Sequence, residues 1–76
     1  MSQSQVQSVL FDNSSWSIEK AANWVVNHGF KAPKVDVTQH LLRFRQIDPA
    51  TLRRKGYQKY RTHPIGEGIS FVLAYK

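Results

Sequence analysis

The chain has 76 residues, no cysteine and a formal net charge of +6 at pH 7. Its length makes one domain with a thin core and marginal stability, where a partner or a second copy often helps. The composition excludes disulfides and thiolate metal sites, and no apolar run approaches the ~20 residues of a membrane helix.

The charge is uneven. Residues 1–30 hold one Lys against Asp12 and Glu19, whereas residues 31–76 hold ten basic groups against Asp36, Asp48 and Glu67. The positive field of the second half suits nucleic acid, anionic lipid or an acidic protein. It speaks to association and not to fold.

Residues 1–5 read as a disordered tail before a single domain over 6–76. Met1 to Ser8 carries neither the charged nor the apolar part of a signal peptide, so secretion by that route is not expected. Val6, Val9, Leu10 and Phe11 suggest a short strand, ended by the Asp12-Asn13-Ser14-Ser15 turn cluster.

The first helix is predicted over Ile18 to His28. Ser17 can cap it and Glu19 suits the positive end of its dipole. Trp16 can pack on Ala21 as a hydrophobic staple. Ile18, Ala21, Ala22 and Val25 recur at helical spacing with Trp24 on the flank, and Gly29 suits the stop. Three turns cannot stand alone, so the apolar face needs a sheet.

Phe30 to Val37 reads as a connection, interrupted by Pro33. His40 to Ile47 alternates: Leu42, Phe44 and, at the end of the row, Gln46 point one way, while Leu41, Arg43, Arg45 and Ile47 point the other. That is a strand with one wet side. Asp48 as a cap and Pro49 in the first helical position open a helical turn that reaches Lys55, where Gly56 stops it. Gln58 to His63 reads as a strand and Pro64 to Gly68 as a turn. Ile69 to Tyr75 is a strand apolar on both rows, as in the interior of a sheet. The expected fold class is α+β. A three- to four-stranded, mainly antiparallel sheet carries one helix on one face. The order is strand, helix, strand, short helical turn, strand, strand.

Several pieces form an ordered set: W-x-x-E-x-A-x-x-W (Trp16 to Trp24), H-G-F-K (His28 to Lys31), K-V-D-x-T (Lys34 to Thr38), R-F-R-Q-x-D-P (Arg43 to Pro49), and Y-R-T with G-x-G-I (Tyr60 to Ile69). The set, over about Val6 to Val72, resembles a small uncharacterised domain of phage, viral and mobile-element proteins. Tyr60 stands where similar sequences usually have Phe. The resemblance implies association with viral or mobile DNA, and hence a cytoplasmic or virion-associated place. It carries over no active site.

The candidate binding residues lie in the basic second half. Arg43 and Arg45 share one side of a strand, and Arg53, Arg54, Lys55, Lys59 and Arg61 follow. Lys and Arg neutralise phosphates with salt-dependent affinity. Tyr57 and Tyr60 are interleaved and suit stacking on unpaired bases. The segments are expected to form one folded basic face. An ordinary solvated face and a dock for an acidic protein fit the same residues.

Other chemistry is weakly signalled. His28, His40 and His63 are spaced by twelve and twenty-three residues, matching no compact metal motif. The five acids are scattered, and each suits a cap, a turn or the surface. His63 near Thr62 or Ser70 lacks a third partner for nucleophilic catalysis. Gly66-Glu67-Gly68 reads as a tight hairpin before it reads as a phosphate loop. The first helix has one Lys and one Glu, and no second helix of useful length follows, so base reading from a helix is not expected.

The reading is therefore a non-catalytic nucleic-acid-binding module with no cofactor and no metal. Its contacts are mostly to the backbone, with little sequence preference. The rival is a structural or adaptor protein in a viral or multi-protein assembly. Partners are nucleic acid or an acidic protein surface, and an edge strand makes a homodimer possible.

Overall fold

A computed structural model describes residues 4–32 and 34–76. Seven elements follow in order: β1 (Ser4–Asp12), α1 (Ile18–Asn27), β2 (Val35–Val37), β3 (Leu41–Arg45), α2 (Pro49–Arg54), β4 (Lys59–Gly66) and β5 (Ile69–Tyr75). The sheet order is β2-β3-β1-β5-β4, and every pairing is antiparallel. The α+β class and the antiparallel sheet are as expected, and the detailed order is not.

Three corrections follow. The sheet has five strands, because Val35–Val37 pairs with Phe44, Arg43 and Leu42 where a connection was expected. Two helices pack on the sheet, one on each face. Ser4 and Gln5, expected in the tail, belong to β1 opposite Tyr75 and Ala74. The rest of the expected tail, residues 1–3, lies outside the described residues, as does Pro33.

β1 pairs on both sides and organises the molecule. Val9 and Phe11 face α1 beside Phe44 and Leu42 of β3. With Ala21, Val25 and Ile69 they form the main core. Phe11 sits at its centre, edge-on to Trp16, Trp24 and Phe44 at ring-centroid distances of 5.0, 5.7 and 5.6 Å. Such pairs add about 0.5–1.5 kcal/mol beyond area burial.

α1 starts as expected. The Ser17 hydroxyl accepts a bond from the Lys20 amide at 3.2 Å. The helix ends with Phe30 N–H donating to Val25 and Gly29 N–H to Val26, with Gly29 at φ +82°. This is the paired closure that a left-handed glycine permits. His28 stacks on Trp24, centroids 3.8 Å apart, and its Nδ1 lies 2.8 Å from the Trp24 carbonyl oxygen.

α2 repeats that ending at Gly56, with Tyr57 N–H donating to Leu52 and Gly56 N–H to Arg53. Asp48 occupies the cap position and Pro49 opens the helix, but the Asp48 side chain makes no capping bond. Leu52 and Tyr57 pack on Ala74, with Ile47 at the margin, forming a second small core.

A bulge in β1 decides where α2 goes. Val6 pairs with Leu73, but Ser8 pairs with Val72, so Gln7 is an extra residue between them. A bulge bends its strand and re-aims its side chains. The Gln7 carbonyl accepts from the amides of Gln46 and Ile47, and its Nε2 donates to the Ile47 carbonyl at 3.1 Å. Ser8 Oγ satisfies Gln7 Oε1 at 2.7 Å. A buried polar side chain thus fixes the link from β3 into α2.

Candidate functional site

The register divides the expected basic face. Arg43 and Arg45 stand opposite Leu10 and Ser8 of β1, which in turn pair with Ser70 and Val72 of β5. Tyr60 and Thr62 of β4, opposite Ala74 and Val72, belong to that same side. Lys59 and Arg61 stand opposite Tyr75 and Leu73. Those residues alternate with Ala74 and Val72 and share the row of Ile69 and Phe71, which packs toward α1. Lys59 and Arg61 therefore lie on the side of the sheet away from Arg43 and Arg45. The expectation of one continuous face is corrected: two basic surfaces back onto one another.

The first surface is an open cleft of about 440 Å³. Arg43, Arg45 and Tyr60 project from the sheet, Pro49 and Arg53 come from α2, and Gln7, Tyr57 and Gln58 complete the lining. Three guanidinium groups meet there, and none of the lining residues is an acid. The wall exists because Gln7 seats Ile47 and Leu52 seats α2 on Ala74.

The arginines are weakly neutralised. Arg45 Nη2 lies 3.9 Å from Asp36 Oδ2, with both side chains about half exposed. Water screens such a pair to within ~1 kcal/mol. Arg43 is half-buried, and its buried Nε has no hydrogen-bond partner among the described residues. Buried donors are normally paired, and this N–H, closed to solvent, is an exception. A guanidinium can present a planar fork of donors to a phosphate.

The two tyrosines part company. Tyr57 is 6% exposed and belongs to the second core, with Lys76 Nζ 5.2 Å from its ring centroid. Its expected role as a stacking platform gives way to packing, since a core this small uses the ring. Tyr60 is 44% exposed and keeps an open ring at the cleft.

The remaining expected residues are scattered. Arg54 and Lys55 are exposed at the end of α2 and do not line the cleft. A second depression of about 270 Å³ adjoins through Arg45, with Lys34, Asp36, Gln46 and Asp48. Lys59 and Arg61 line a third, of about 310 Å³, with Tyr75 and Lys76. Gln7, Pro49 and Gln58 were missed by sequence reasoning. Nothing in the string QVQS marks a bulge, and neutral residues carry no charge signal.

Among the described residues, no group of three or more potential metal ligands gathers. His28 closes α1, His40 lies in the turn before β3, and His63 is on β4. The β4–β5 hairpin turns about Gly66-Glu67-Gly68, tighter than the expected Pro64 to Gly68 turn, because β4 continues past His63 with Pro64 and Gly66 paired to Ser70 and Ile69; the Glu67 carbonyl accepts from Trp16 Nε1 at 2.7 Å. Among the described residues, no helix is long and apolar enough to cross a membrane. Comparison with protein-family models, with curated proteins and with solved structures finds no match to this chain.

Proposed function

We propose that the chain is a non-catalytic nucleic-acid-binding module whose site is the cleft of Arg43, Arg45, Arg53 and Tyr60. The observation that carries this reading is the meeting of three arginines and an open tyrosine in a lining without a carboxylate. Phosphate supplies anions to a site that Asp36 neutralises only weakly at Arg45, and the tyrosine ring supplies a surface for an unpaired base. The donors are cationic forks and no helix is offered to a groove. Contacts are therefore to the backbone and read little sequence.

The test is fluorescence anisotropy with labelled single- and double-stranded DNA and RNA over a salt series. Binding at ~50 mM salt that weakens steeply with added salt is expected. For single strands, R43A/R45A reduces the slope of log affinity against log salt by about 1.4, at ~0.7 per lost contact. No binding to any of these probes overturns the reading.

One observation favours the adaptor reading. β4 is an outer strand of the sheet and all eight of its residues are exposed. An open edge can pair with an extended segment of another protein or of a second copy. In that case a stoichiometric protein complex forms and nucleic acid does not compete with it.

A further inference from the structure

The third depression is not explained by the cleft just described. Lys59, Arg61, Tyr75 and Lys76 line it on the α1 side of the β4–β5 pair. None of its lining side chains is acidic. The β4–β5 hairpin carries its one carboxylate, Glu67, at the turn, the opposite end of β4 from Lys59. This depression and the first cleft back onto the same end of the same two strands. Tyr60, on the first side, is the chain neighbour of both Lys59 and Arg61.

Two features join the two surfaces. Lys76 lines the third depression while its Nζ sits 5.2 Å from the ring centroid of Tyr57, which lines the first cleft. Among the described residues β4 is also the outermost strand, with no further strand between one surface and the other. A positive path therefore runs from Arg43 and Arg45 past Tyr60, over the β4 edge, to Lys59 and Arg61.

A path that turns around a strand edge selects its ligand by stiffness. A duplex has a persistence length of about 150 bp and cannot fold over one strand. It can touch one face at a time. A single strand bends freely and can lay phosphates on both faces with a base on Tyr60. We propose that the Lys59/Arg61/Lys76 surface is a second phosphate station, and that a single-stranded nucleic acid wraps the β4 edge to occupy both stations at once. This rests on the nucleic-acid reading above and names the form of the ligand.

The experiment uses the full chain with oligothymidylate of about fifteen nucleotides, a length within known single-strand site sizes, its oligouridylate counterpart, and a hairpin duplex. Lys59 and Arg61 are exposed, so K59A/R61A is expected to fold normally. That variant lowers the single-strand salt slope by about 1.4 and leaves the duplex slope unchanged. The charge-preserving K59R/R61K restores the slope. Sedimentation gives one long oligonucleotide per chain. Loss in R43A/R45A with an unchanged single-strand slope in K59A/R61A overturns the wrapping and spares the first cleft. Two oligonucleotides per chain, or an equal loss for duplex and single strand, also overturns it. No binding to any probe overturns the wrapping together with the proposed function.

Discussion

Tyr60 and Arg61 are adjacent in β4 yet belong to opposite sides of the sheet, Tyr60 across from Ala74 and Arg61 across from Leu73. Tyr60 joins the arginine cleft, and Arg61 joins the lysine-rich surface behind it. One strand thus serves both basic surfaces through its period of two.

Tyr60 is the stacking element of the account. Tyr60→Ala weakens single-strand binding by about 1–3 kcal/mol, the range for losing one base–aromatic stack. Duplex binding changes little, because paired bases are not free to stack. At 44% exposed the ring is not part of the core, so circular dichroism and unfolding stay close to those of the parent. Equal losses for both ligands in anisotropy contradict the stacking role.

Leu52 holds the cleft wall. It is 1% exposed between Tyr57 and Ala74. Leu52→Ala costs about 2–5 kcal/mol of stability, as buried leucine truncations do. Urea unfolding measures this. Below the unfolding transition the variant also loses nucleic-acid affinity, because α2 no longer fixes Arg53 beside Arg43 and Arg45. Parental stability would show that α2 is not seated as described.

Asp12 sets an acid-dependent term. Ser14 donates to its Oδ1 from the backbone amide at 3.0 Å and from the hydroxyl at 2.8 Å. The amide bond first, then the hydroxyl bond, hold the carboxyl below its ordinary value; His40 adds a little and desolvation opposes. A carboxyl lowered in the folded state stabilises fully above its unfolded value, about 3.9, and that stability is lost as pH falls through the folded value. In urea unfolding, the stability gap between the parent and Asp12→Asn is constant near neutrality. It shrinks below pH ~4. A gap that widens in acid contradicts the assignment.

Much of the fold can be read in the residues. Ile69–Tyr75 is apolar on both rows and proves to be flanked by strands on both sides. The alternation of Leu42 and Phe44 with Arg43 and Arg45 correctly separates core from surface. Ser17, Gly29 and Gly56 mark helix ends through backbone chemistry that acts locally. β2 escapes notice because Val35–Val37 is three residues long and mostly exposed, too short to show a period. The side taken by Lys59 and Arg61 is not local information. All of β4 is exposed, so its own pattern names no core face. Only pairing with β5, itself fixed to β1 across the Gln7 bulge, decides it. The arginine cleft therefore shows in the sequence as charge, and its division into two surfaces does not.

The central claim is that nucleic acid occupies the cleft of Arg43, Arg45, Arg53 and Tyr60. Heteronuclear NMR titration with a single-stranded oligonucleotide, observing backbone amides and arginine Nε–H groups, tests it most directly. The account predicts the largest shifts at these four residues. Shifts that leave these residues still, or that centre on the outer side of α1 at Ile18 and Val26, contradict it.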